Sequence, residues 1–222
     1  MDKQGILLID KPSGITSHDV VDVVRKKFQM KRIGHAGTLD PLATGLLIIL
    51  VGKSTKLFDK FVGFDKAYRA TLILGTATDS ADTEGKIIEK CSFTHVTQEQ
   101  VFEVFKKFIG VIEQVPPMVS AVKHKGKKLY ELARKGITVE RKARTITIER
   151  LEIKRFKSPE VEFILECSKG TYVRQIAEDV GKVLGCGACI SQIERTKVGV
   201  FTLEEAIKLE EINESHLRNW QG

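Results

Sequence analysis

No stretch of this sequence stays apolar for the roughly 18 residues that a membrane-spanning helix needs. Cysteine is scarce, with four in 222 residues, too few and too scattered for the disulfide framework of a small secreted fold. Cys186 and Cys189 do form a C-x-x-C. A zinc site needs two further ligands at workable spacing, and Cys91, Cys167, His18, His35, His95, His124 and His216 offer no second pair, so no metal is expected. Two small residues near a glycine-rich helix end is the plainer reading. No phosphate loop of the G-x-x-x-x-G-K-[ST] kind, no G-x-S-x-G elbow and no H-E-x-x-H is present, which removes three common enzyme classes. "TDSADTEG" lacks the alternating ligands of a calcium loop, and Asp79, Asp82 and Glu84 are read as a polar turn between two strands. Internal repeats and low-complexity segments are missing as well. The start, "MDKQGILLID", carries neither the apolar core nor the cleavage site of a signal peptide, and a cytoplasmic protein is expected.

What the sequence has is a sizeable apolar fraction and an excess of positive charge. With 42% hydrophobic residues, the chain can bury a core in one domain or in two closely merged halves. Thirty-six Lys+Arg against 29 Asp+Glu give a formal charge of +7, which favours a polyanionic partner over a neutral metabolite. "GILLI" at 5–9 reads as a short buried strand, and "TSHDVVDVVRKKF" as a helix capped by Thr16 or Ser17, with Val20, Val24 and Phe28 on one face. "KAYRATLILG" alternates, placing Tyr68 with Ala70, Leu72 and Leu74. "TQEQVFEVFKKFIG" has a capping box, Thr97 with Gln100, and a stripe of Val101, Val104, Phe105, Phe108 and Ile109 that ends at Gly110. "VEFILEC" reads as another alternating strand, and "TYVRQIAEDVGKVLG" as a helix after a tight turn at 168–170, with Arg174 in its first turn.

The stretch "GHAGTLDPLATGLLIIL", residues 34–50, passes from a glycine-rich turn directly into an apolar run and sets one carboxylate, Asp40, between a leucine and a proline. Pro41 restricts the backbone of Asp40, and Gly34, Gly37 and Gly45 permit close approach of a ligand. A carboxylate beside an apolar run is driven towards its neutral form unless an arginine lies near it. Arg69 and Arg174 are the candidates, since both lie on elements beside the core. The competing reading is an ordinary turn or capping aspartate, which is what most Asp-Pro pairs are.

Between residues 123 and 144, "KHKGKKLYELARKGITVERKAR" concentrates positive charge on a segment with a short helix closed by Gly136. It reads as an exposed arm. An ordinary solvated face is one account, and a phosphate-gripping element built from Lys123, Lys125, Lys127, Lys128, Arg134, Arg141 and Arg144 is the other. Tyr130 and His124 add stacking surfaces.

"DKPSGITSHDVV", "GHAGTLDPLATGLL", "KAYRATLILGTATDSADTEG", "PPMVSAVKHKGKKLYELARKG" and "CSKGTYVRQIAEDVGKVLGCGA" follow one another as in the TruB family of tRNA pseudouridine synthases, which the chain resembles from Asp10 to Phe201. The resemblance implies an α+β pseudouridine synthase fold, a mixed central sheet flanked by helices, acting without metal or organic cofactor on uridine in the T loop of tRNA. It implies Asp40 as nucleophile, Tyr68 as the aromatic that stacks on the target uracil, and Arg174 as the arginine paired with the catalytic carboxylate. His35 resembles the residue that enters the T loop where the base has flipped out, and 123–144 the mobile thumb that closes over RNA. A monomer with no obligate protein partner and no membrane association is expected.

Val119 stands where the family commonly has an aromatic, and "QIERT" carries Ile193 and Glu194 where "LRRT" is usual. Family members often continue into a C-terminal PUA domain; here 203–222 has helical spacing and is expected to close a single catalytic domain, residues 1–222, without one. A tRNA-folding chaperone in which chemistry is incidental is the alternative from another class. Intact Asp40, Tyr68 and Arg174 favour the enzyme.

Overall fold

The apolar run Gly5–Lys11 forms β1 and pairs antiparallel with β3 (Thr44–Val51), in a register from Gly5↔Val51 to Lys11↔Gly45. In this computed structural model, residues 3–120, 122–124, 126–133 and 135–220 are described. The chain divides into two units, Met1–Arg69 with Ile193–Gly222, and Ala70–Gln192.

In the first unit, α1 (Ser17–Phe28) follows β1, and β2 (Ile33–Ala36) pairs antiparallel with β3. Thr16, not Ser17, is the cap of α1, closing a capping box with Asp19. Helix α2 (Phe58–Val62) leads to β4 (Lys66–Leu74), which begins in this unit and ends in the other. β1 and β3 are buried on both faces: Ile6, Leu8, Leu46, Ile48 and Leu50 join Phe61, Val198 and Phe201 in one cluster, while Leu7, Ile9, Leu47 and Ile49 are equally inaccessible. Double-sided burial explains why these strands read as continuous apolar runs without alternation.

In the second unit, β5 (Thr76–Thr78) and β6 (Ile87–Lys90) form a hairpin around the polar turn expected at Asp79, Asp82 and Glu84. Helix α3 (Gln98–Lys106) has the Thr97–Gln100 capping box and buries Val101, Val104 and Phe105; Phe105 meets Phe163 edge to face with ring centroids 5.6 Å apart. The helix ends before the expected stripe does. Ile109 is 47% exposed, because Gly110 at φ +101 redirects the chain into β7 (Gly110–Gln114). The basic arm holds β8 (Lys123–His124), β9 (Lys127–Lys128) and α4 (Leu129–Ala133). β10 (Arg144–Lys157) and β11 (Glu160–Cys167) follow, and strands order as β4, β11, β10, β7. Alternate burial of Val161, Phe163, Leu165 and Cys167 gives β11 the period of two read from the sequence. Helix α5 (Val173–Leu184) leads into β12 (Ala188–Val198), which returns to the first unit.

There β12 pairs parallel with β3 through Glu194↔Thr44 and Arg195↔Gly45, and β13 (Phe201–Thr202) pairs with β12. Residues 203–220 are not a continuous helix. They form single 3-10 turns at Leu203–Glu205, Leu209–Glu211 and Glu214–His216, separated by β14 (Ile207–Lys208), which pairs parallel with β1. Arg218 also exchanges both backbone hydrogen bonds with Ile6. The open edge of β1 and the aromatic cluster that takes Trp220 against Phe61 and Phe201 outweigh a local helical preference worth only tenths of a kcal/mol per residue. The first-unit sheet is therefore mixed, as expected of the α+β class.

Candidate active site

Asp40 sits half-buried on the turn between β2 and β3, and that turn is tied down at almost every peptide. The Ser17 hydroxyl accepts from the Leu39 N–H at 2.8 Å and donates to the Leu39 carbonyl at 3.1 Å. One residue after Asp40, the Pro41 carbonyl accepts from the Gly14 N–H at 2.9 Å and from the Lys11 ammonium at 3.3 Å. Ser13 donates to the Leu42 carbonyl, and the Asp40 carbonyl itself accepts from Ala43. "DKPSGITS" is thus a brace laid along the Asp40 turn. Lys11 is fully buried and also donates to the Pro12 and Ile15 carbonyls, both at 2.8 Å, so its charge is well solvated by the backbone.

A second buried cation lies on the other side of the turn. Arg195, 2% exposed, donates through Nε to the Leu46 carbonyl at 2.8 Å, through Nη2 to Gly37 at 3.0 Å and through Nη1 to Thr38 at 3.5 Å. Burial pulls its pKa below the ordinary arginine value, while a hydrogen bond with the Tyr68 side chain and the charge of Asp40 hold the cation in place. Tyr68 is 8% exposed on β4. His35, on β2, is drawn down to about 4, first by burial and then by the Arg195 charge, and its Nδ1 is buried without a hydrogen-bond partner among the described residues. Its imidazole is therefore neutral at physiological pH. Asp40, Tyr68 and His35 share one unit and one buried arginine.

Of the two arginines considered for Asp40, Arg69 is exposed and faces Glu194 at 3.6 Å. The departure at Glu194 thereby finds a local partner. Arg174 is buried in the second unit, donating to the Ser80 carbonyl at 2.6 Å and the Val119 carbonyl at 2.8 Å, with Asp82 at 3.6 Å. Asp82 is thus more than a turn residue: 5% exposed, it also accepts from the Ser80 hydroxyl at 2.5 Å and the Glu84 N–H at 3.2 Å. Val119 meets Arg174 through its backbone, so the missing aromatic leaves that contact intact.

The basic arm lies in the second unit. Lys127 and Arg144 are exposed, and the Lys128 ammonium lies 5.4 Å over the Tyr130 ring. Arg141 donates to the Pro116 carbonyl at 3.0 Å, which ties the arm to its base. Leu129 and Leu132 are buried beneath it. Lys125, Arg134 and the side chain of Lys123 lie outside the described residues. Cys186 and Cys189 are buried free thiols, each raised by desolvation.

Arg195 is the residue that sequence reasoning missed. One signal was available: in "IERTKV" the arginine falls on the same strand phase as buried Ile193, and a charged residue on an apolar phase calls for a partner.

Known proteins match the chain over most of its length. A family model described as TruB family pseudouridylate synthase (N terminal domain) matches residues 25–173, and one described as tRNA pseudouridylate synthase B C-terminal domain matches 174–221. tRNA pseudouridine synthase B of Protochlamydia amoebophila is 51% identical over 211 residues, covering 95% of this chain and 80% of its own. The Clostridium tetani protein of the same name is 46% identical over 216 residues, covering 97% and 75%. Among solved structures, one titled as a Cbf5-Nop10-Gar1 complex superposes with a TM-score of 0.74 at 30% identity, covering 94% of this chain. This chain spans about half, 53%, of that one. On these matches the chain belongs to the TruB family of pseudouridine synthases, a family of RNA-modifying isomerases.

Proposed function

We propose that the chain isomerises uridine to pseudouridine in the T loop of tRNA, at position 55, with Asp40 as nucleophile. The observation that carries this reading is the braced turn: two buried cations, Lys11 and Arg195, hold the backbone carbonyls around Asp40, the Asp40 charge acts on Arg195, and Tyr68 is hydrogen-bonded to that same guanidinium. An aspartate that merely capped a turn would not need such fixing. The relatives named for tRNA point to the substrate class.

The reaction breaks the C1′–N1 glycosidic bond and forms C1′–C5, releases the C5 proton and protonates N1. Nothing is oxidised or reduced, so no co-reactant is needed. Within the duplex-like T loop the base is stacked, and extruding it costs a few kcal/mol. Stacking on Tyr68 returns about 1–3 kcal/mol of that, and His35, neutral and half-buried, fills the space the base vacates. The Asp40 carboxylate then attacks ribose C1′ or uracil C6, splitting one hard step into two easier ones. Arg174 is assigned as the catalytic arginine. Lys123, Lys125, Lys127, Lys128, Arg134, Arg141 and Arg144 grip phosphates.

The test is tritium release from a tRNA transcript carrying 5-tritiated uridine. Native protein releases tritium, and Asp40→Asn abolishes release while keeping tRNA affinity within about threefold. A large affinity loss in Asp40→Asn would make Asp40 structural, and native protein that binds tRNA but releases no tritium would leave a folding chaperone as the better reading.

A further inference from the structure

We propose that Arg195 is a positioning residue for the reaction, holding the Asp40 turn closed and orienting the Tyr68 hydroxyl with the same guanidinium; this rests on the reading of Asp40 as nucleophile. The carbonyls that Arg195 holds lie on both sides of Asp40: Gly37 and Thr38 before it, Leu46 after it. One planar group therefore staples the two ends of the loop that carries the carboxylate. The backbone repeats the tie, since Arg195 pairs with Gly45. Gly45 has φ +93, and a Cβ there would lie 2.5 Å from the Arg195 carbonyl oxygen. Gly37 has φ +90, a backbone conformation that suits glycine, and a Cβ there would meet Nη1 at an ordinary contact distance of 3.5 Å.

Burial decides between touching RNA and arranging the groups that do. At 2% exposure, the side chain is closed to a phosphate or a base, so its effect passes through Asp40 and Tyr68. Three carbonyls and a phenol are a match for a guanidinium fork and not for an ammonium, which has no fixed plane of donors. A lysine in its place keeps the charge and loses the staple.

The experiment compares native protein, Arg195→Lys, Arg195→Gln and Asp40→Asn in single-turnover conversion of the tRNA transcript, with circular dichroism and tRNA affinity measured on each. Folded Arg195→Lys is expected to slow the chemical step at least about 100-fold, the loss that follows from displacing a catalytic group by about 1 Å. Its tRNA Kd should stay within about threefold, so that the loss falls in kcat and leaves KM. Arg195→Gln should be slower still. A folded Arg195→Lys or Arg195→Gln with native single-turnover rate overturns the proposal, and so does collapse of both variants, which would make Arg195 a folding residue. If Asp40→Asn is inactive and Arg195→Lys is normal, only this inference fails. If Asp40→Asn turns over like native protein, the nucleophile assignment fails first and takes this one with it.

Discussion

Replacing Arg174 with alanine does more than test the proposed catalytic arginine, because it strands Asp82, 5% exposed, beside an empty guanidinium site. Breaking a buried pair on one side costs about 3–5 kcal/mol, so lost activity in Arg174→Ala has two causes. The double variant Arg174→Met/Asp82→Asn separates them. It should recover most of the unfolding free energy lost by Arg174→Ala, read by urea denaturation, and stay inactive in tritium release. Recovery of activity with stability would make Arg174 purely structural. His35 gives a second residue-scale expectation. Unfolded histidine takes a proton near pH 6.5, whereas folded His35 resists until about 4. The unfolded state therefore binds more protons between those values, and stability that is complete above pH 6.5 falls as pH drops towards 4. The slope is at most roughly 1.4 kcal/mol per pH unit. His35→Asn should flatten that part of the pH dependence in urea titrations at pH 7 and pH 5; an unchanged difference between those pH values would show that the imidazole is not desolvated.

Two neighbouring residues at the start of α1 have different work, and substitution should separate them. Thr16→Ala removes a capping box and should lower stability by about 1 kcal/mol without slowing tritium release. Ser17→Ala orphans both polar groups of the Leu39 peptide, at about 1–3 kcal/mol for a buried unsatisfied group, and should also slow turnover, since Leu39 precedes Asp40. Equal activity in the two variants would mean that the brace does not matter. The sequence could offer either residue as the cap, because the cap is a local question and the contact to Leu39 is not. The same boundary separates the rest. Buried strand β1, the apolar run that becomes β3, the alternation of β11 and the capping box of α3 were legible, since each depends on residues within a few positions. Arg195 was not, because its importance arises only when β12 pairs with β3. Nor was the end of the chain, where Ile207 and Arg218 serve the edge of β1 instead of a helix. Asp82 read as a turn residue for the same reason: its partner, Arg174, comes from α5.

At the scale of the whole molecule, a charge of +7 and an arm with exposed Lys127 and Arg144 make tRNA binding an exchange of counterions for side chains. Each phosphate contact contributes about −0.7 to −0.9 to the slope of log K against log salt. Replacing Lys127, Lys128 and Arg144 together with glutamine should therefore weaken binding and make the slope shallower by about 2–3, measured by filter binding from 50 to 300 mM salt. Arg141→Gln should behave differently. Its guanidinium is engaged with the Pro116 carbonyl, so the expected effect is a loosened arm, seen as faster proteolysis between 123 and 144, together with a smaller change in slope. If the triple variant binds tRNA with the native salt dependence, the positive charge of the arm is an ordinary solvated face and the grip on phosphates lies elsewhere. If Arg141→Gln alone accounts for the change, the arm contributes through its attachment more than through its charge. The charge excess by itself predicts only that binding falls with salt; the exposure of particular side chains predicts which of them carry the slope.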